Sequence, residues 1–359
     1  MKYPQWAGLA CLTMSFSASA QTMLYGLLDT GIERANNINA RGDTALRMPS
    51  LTGSFPSRLG LRGAEDLGGG NALVFQLETG LGLDTGTAGQ GGRLFGRQSW
   101  VGIKGGFGSL TVGRQSNMSF HALVKADVAG PAIHGVTNMD SYIPNARSDN
   151  SLAYLGTFGN AVLGASYSFG RDASPPGGAG PGATSCPGEQ AGDARACRQA
   201  TAMLGYDTGQ WGIYASSDWQ HGGTGATNGL GKSSDTDRRR VLSAYRQFDG
   251  VKLGAGWLRR NTVSSVPAAS DLYFVGASIA RGLWTGDVQY SRLKVRASAN
   301  VSALYVARLS YHLSRRTALY ASLGYIQNHG AAAVAVDSGG TVGKGMRQSG
   351  QMLGLRHSF

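Results

Sequence analysis

The chain has 359 residues, 56 of them glycine, with 42% hydrophobic and only 15% charged residues. Glycine is about twice its average usage, but without the regular period of a collagen-like rod. Lys and Arg outnumber Asp and Glu 33 to 21, for a net charge of +12. These cations are dispersed apart from Arg238–Arg240, which excludes the clustered basic patch of a nucleic-acid-binding protein.

In chain order, the first element is "MKYPQWAGLACLTMSFSASAQ". Lys2 opens it, an apolar stretch runs from about Trp6 to Phe16, and Ala18-Ser19-Ala20 closes it. Charge, apolar core and small-x-small site in this order are those of a cleavable export signal. The apolar stretch is too short to span a bilayer as a helix. Residues 1–20 are therefore expected to be a signal peptide, and 21–359 the mature chain. A buried N-terminal helix is the alternative.

Beyond Gln21 the dominant period is two, not 3.6. In "TMLYGLLDTGIER" Leu24, Leu28, Thr30 and Ile32 share one face and Tyr25, Asp29 and Glu33 the other. "SRLGLRGAE" sets Leu59 and Leu61 against Arg58 and Arg62, and "NALVFQLETGL" sets Leu73, Phe75, Leu77 and Leu81 against Gln76 and Glu78. "AVLGASYSFG", "WGIYASSDWQ", "DLYFVGASIA", "LWTGDVQYSR" and "ALYASLGYIQ" behave alike. Each is about ten residues long, the length of a tilted strand crossing a bilayer.

The connections alternate strictly. Short ones fall at 66–70, 105–109, 158–160, 207–210, 248–250, 280–282 and 314–316. Longer polar ones fall at about 35–56, 82–92, 115–148, 171–199, 221–237, 260–270, 294–300 and 328–347. Fifteen connections imply sixteen strands, with every short turn at one end of the sheet. The expected fold is all-β: a sixteen-stranded antiparallel transmembrane barrel with short periplasmic turns and long external loops. A sheet can span hydrocarbon only if it closes and leaves no edge. Sixteen strands enclose a lumen too wide for side chains to fill, so polar residues face water, and mean hydropathy is only −0.16. The last segment, "GQMLGLRHSF", then pairs with the first strand, putting Leu353, Leu355, His357 and Phe359 on the lipid face, with Phe359 in an aromatic girdle.

Cys11 leaves with the signal, so Cys186 and Cys197 are an isolated pair inside "SCPGEQAGDARAC". In an oxidising compartment this reads as a disulfide stapling a loop; a metal site would want a local His. Six scattered histidines offer no Ser/His/Asp grouping. No cofactor or metal is expected.

The segments "LYGLLDTGIE", "SRLGLRGAEDLGGGNALVFQLETG", "RLFGRQSWVGIKGGFGSLTVGRQ", "DNSLAYL", "YHLSRRTALYASLGY" and "GLRHSF" resemble Gram-negative general porins of the neisserial and Bordetella/Burkholderia-like type. The resemblance covers essentially all of 21–359 and is strongest over 22–115 and 305–359. It implies a homotrimer in the outer membrane, among lipid and lipopolysaccharide, passing ions and small hydrophilic solutes by diffusion. It also implies a third external loop, about 115–148 here, folded inward to narrow the lumen opposite wall arginines. By position those arginines are Arg58, Arg62 and Arg97, with Arg114 and Arg147 flanking the loop and Asp127 and Asp140 within it. Any of these arginines could instead be a rim ion-pair partner without effect on conduction. With Arg in excess over carboxylate the expected channel prefers anions. The alternatives are a substrate-specific anion channel of the same fold, an outer-membrane barrel enzyme, or a plugged adhesin.

Overall fold

The alternation of apolar and polar residues is realised as eighteen antiparallel strands in one sheet that closes on itself. The computed structural model describes residues 21–50, 52–143, 146–172 and 185–359. The expected signal peptide lies outside the described residues. Two strands, Ala45–Arg47 and Thr87–Ala88, are short additions within loops. The other sixteen form the barrel wall.

They are β1 Gln21–Ala35, β2 Arg58–Gly68, β3 Asn71–Gly82 and β4 Gln98–Gly105. Next come β5 Gly108–Ser116, β6 Arg147–Phe158, β7 Ala161–Ser168 and β8 Gln199–Asp207. Then follow β9 Trp211–His221, β10 Thr236–Phe248, β11 Val251–Val263 and β12 Ala268–Arg281. The wall ends with β13 Trp284–Val295, β14 Val301–His312, β15 Thr317–His329 and β16 Arg347–Ser358. Short turns and long loops alternate between them, as the sequence pattern requires.

The seam is β1 against β16, from Leu27 opposite Ser358 to Ala35 opposite Gly350. Beyond it Gly26 and Phe359 exchange two backbone hydrogen bonds of 3.0 and 3.1 Å. A Cβ on residue 26 would sit 2.4 Å from the Phe359 ring, so glycine is what lets the terminal aromatic lie flat on the wall. Leu353 and Leu355 point outward and are exposed, while Met352 just before them points inward and is buried. Each of the sixteen wall strands has a partner on both sides, which hydrocarbon demands of the backbone.

The outer face carries two aromatic belts. Trp211, Trp284 and Tyr311 lie at the turn end, with the Trp284 and Tyr311 rings 4.7 Å apart. Trp257, Tyr290, Tyr305 and Tyr325 lie nearer the loop end, Tyr290 and Tyr305 pairing at 5.1 Å. Tyr25 and Tyr320, outwardly similar in sequence, turn inward and bond Glu78 and Asp29.

The buried apolar residues are not shared between two sheets. They lie inside the barrel, where Met118, Leu123, Ala126, Val136, Met139 and Ile143 of the 117–146 loop pack on the inner wall. The loop after β7 holds a Cys186–Cys197 disulfide with a Cα–Cα distance of 5.3 Å. Cys197 N–H donates to Gly222 O, so the next loop rests on the bridge.

Candidate functional site

The 117–146 loop leaves β5 and enters the lumen through a short helix, α1 (Met118–Leu123). Asn117 caps it, its side-chain oxygen accepting from the backbone N–H of Ser119 (3.1 Å) and Phe120 (3.4 Å), worth roughly 1 kcal/mol. The helix lies against β8, β9 and β10. The loop then follows the inner wall as far as β15 and β1 before returning.

Each step of that path is anchored. Gln289 on β13 donates to Asp127 at 3.0 Å and accepts from the N–H groups of Val128 and Ala129, both at 3.1 Å. Burial holds the Asp127 carboxyl above the usual carboxylate range, against the opposing hydrogen bonds from Gln289 and Gly130 N–H. Arg308 on β14 pairs with Asp287 at 2.7 Å and donates to Ala129 O and Ser54 O. Ile133 N–H donates to Gly53 O, so the inner end of the first loop meets the third. The His134 ring lies between Ser322 (2.9 Å) on β15 and Glu33 (3.0 Å) on β1. A Cβ on Gly350 or Gly324 would approach that ring to 2.6 or 2.9 Å, so the two glycines form its slot.

On the way back Asp140 accepts from Arg239 on β10 at 3.0 Å; Arg239 also binds Asp237, which takes Arg260 in turn. Arg239 is fully buried. Tyr142 donates to Asp218 on β9 (2.6 Å) and accepts from Asn117 and Gln199. Burial, reinforced by the Asp218 charge, pushes its phenol well above the ordinary value.

The facing wall, β2 to β5, is left uncovered. Arg58 on β2 lies 3.6 Å from Glu78 and donates to Pro56 O at 3.2 Å. Arg97, just before β4, is buried and donates to the same Glu78 at 2.6 Å. Arg62 is exposed to the lumen, its guanidinium 5.2 Å from the Tyr25 ring. At an irregularity in the β5–β6 pairing Asp149 and Asn150 of β6 stand opposite the single Arg114, whose guanidinium binds Asp149 and Gly96 O; such bulges re-aim a side chain. Arg147 is buried at the start of β6.

Between α1 and this wall is a chamber of about 820 Å³. Arg62, Gln76, Gln98, Trp100, Lys104 and the edge of Phe120 and His121 line it. Among the described lining residues there is no carboxylate.

The structure therefore brings Arg58 and Arg97 together around Glu78 and leaves Arg62 in the open lumen. It places Asp127 and Asp140 against the opposite wall, bonded to Gln289 and Arg239. Sequence reasoning missed Glu78, the Asp237–Arg239–Arg260 cluster and His134–Glu33. For Arg239 a signal existed: in "DRRRV" a period of two must send the middle arginine inward, whereas the run reads as a solvated strand end if taken as a block.

A family model described as Gram-negative porin matches residues 7–331. The chain belongs to the Gram-negative porins. It is 29% identical to outer membrane porin protein 32 of Delftia acidovorans over 98% of both chains. It is 30% identical to an outer membrane porin protein of Bordetella pertussis over 89% of this chain and 93% of that one. Among solved structures, the anion-selective porin from Comamonas acidovorans superposes with a TM-score of 0.77 at 25% identity, covering 95% of this chain and all of that one. This porin is thus an outer-membrane channel protein, a water-filled barrel for ions and small hydrophilic solutes.

Proposed function

We propose that this porin conducts anions in preference to cations, through a constriction between α1 of the third loop and the β2–β4 wall. The observation that carries this reading is the chamber beside α1, which presents Arg62 and Lys104 to the lumen and no carboxylate. Low-dielectric walls focus such a potential, and rings of Arg and Lys select anions. Arg58, four residues from Arg62 on the same face of β2, shares Glu78 with Arg97. The anion-selective porin it superposes on supports the same sign.

The reading includes assembly of residues 21–359 as a homotrimer after loss of residues 1–20, as the family resemblance implies. Intact mass and unheated gel mobility of protein from outer membranes test that part; a retained leader or a monomer would overturn it. Selectivity is tested by zero-current potentials across a bilayer under a salt gradient. Anion preference should shrink as salt rises, because the Debye length falls from about 10 Å at 0.1 M to about 3 Å at 1 M. A cation-preferring wild type would end the proposal.

A further inference from the structure

One inward position of the bare wall does not suit a passage for small hydrophilic ions. The register aligns Arg62 on β2 with Gln76 on β3, and Gln76 with Trp100 on β4. A cation, an amide and an indole therefore stand side by side on the lumen face. Strands are about 5 Å apart, so the indole stands about 10 Å from the Arg62 backbone, within reach of that long side chain.

The ring is both uncovered and fixed. Gly113 is its cross-strand neighbour on β5, and Gly102 is the next inward residue of its own strand, so neither position puts a side chain over it. Trp100 Nε1–H donates to Gln98 Oε1 at 3.0 Å, and Gln98 Nε2–H donates to Ser116 Oγ at 3.1 Å. The indole is thus held by its edge. From the other side of the chamber α1 presents Phe120, its ring edge-to-face with His121 at 5.7 Å.

An aromatic surface at a wetted wall position is unfavourable unless something apolar covers it. Chloride gains nothing from an indole, whereas a flat ring stacks on one. Beside the ring, Arg62 supplies a fork that matches a carboxylate, and no lining carboxylate among the described residues opposes it. A chamber of about 820 Å³ is the size of a small-molecule site.

We propose that this chamber binds aromatic monocarboxylates, the ring stacked on Trp100 beside Phe120 and the carboxylate bonded to Arg62. The inference rests on the anion-channel reading and deepens it, naming the class of anion that the constriction holds in transit.

The test is block of single-channel chloride current by benzoate, acetate and benzamide, with refolded full-length porin in planar bilayers at fixed ionic strength. Acetate lacks the ring and benzamide lacks the charge. Benzoate should half-block at a concentration at least about threefold below either, the factor that one aromatic contact supplies. Trp100→Ala should bring benzoate to the level of acetate, and Trp100→Phe should restore part of the loss. Arg62→Ser should bring benzoate to the level of benzamide. Equal block by benzoate and either control in the wild type, or a benzoate block that survives Trp100→Ala, would overturn the proposal. Zero-current potentials on the same preparation keep the two readings apart: anion preference with equal block overturns the site alone, and cation preference overturns both. Should the Trp100 variants not refold, the wild type decides with 2-naphthoate. Its wider ring should half-block at a lower concentration than benzoate, and equal block rejects the site.

Discussion

Two halves of the same inner wall use charge in opposite ways. From β8 round to β1, acids and bases are buried under the third loop and matched: Asp140 with Arg239, Asp237 with Arg239 and Arg260, Asp287 with Arg308. From β2 to β5 the wall is bare, and Arg62 and Lys104 stand in the lumen without a carboxylate beside the chamber. The covered half spends its charge on seating a loop, and the bare half shows its charge to passing ions. A loop aspartate in a channel is therefore not by itself a pore aspartate.

The contrast is broken most forcefully on the covered side. Arg239→Ala would strand Asp140 as a buried carboxylate without its cation and leave Asp237 with Arg260 alone, a loss of about 3–5 kcal/mol. The loop should leave its seat, with higher and noisier single-channel conductance and a lower melting temperature; an unchanged channel would show that Arg239 does not hold the loop. On the bare side, Arg58→Ser with Arg62→Ser should cut the anion-to-cation permeability ratio severalfold while the fold survives, because lumen changes tune selectivity rather than insertion. Reversal potentials and heat stability measured together separate the two sides.

A smaller effect sharpens the comparison. Glu78 is the one acid shared by Arg58 and Arg97, so Glu78→Gln should raise anion preference by about the loss of one lumen charge, roughly twofold. No rise would mean that the pair is electrically silent. The smallest concerns pH. Burial raises the Asp127 carboxyl, so it takes up its proton before ordinary carboxylates as pH falls. Losing that negative charge leaves the lumen more positive, and anion preference should climb slightly in this range. Asp127→Asn should flatten the climb, and a wild-type profile identical to the variant's would reject the assignment.

The wall was legible in sequence because each strand repeats one local rule. Leu353, Met352 and Leu355 need only the pleat to be placed, and the strict order of turns and loops fixes the strand number. The site was less legible. Arg58, Arg62 and Arg97 are seen from their position in the strands, but their partner Glu78 reads only as one more polar residue in an alternation. Asp140 and Arg239 are 99 residues apart, and nothing local to either tells where the loop will lie. That path is decided by packing of Met118, Leu123 and Met139 on the inner wall, a matter of shape rather than period.

The slot around His134 has a consequence for how the molecule comes together. Its ring reaches Glu33 on the first strand and Ser322 on the fifteenth, across the sixteenth where Gly350 makes room. The loop thus clasps the seam from within, and it lies inside a ring that shuts only when the last strand arrives. A cylinder that zipped up around an empty interior would have to admit thirty residues through its mouth afterwards. Loop docking and ring closure are better made as one event, and they should be undone as one: the clasp and the seam should part in the same cooperative step.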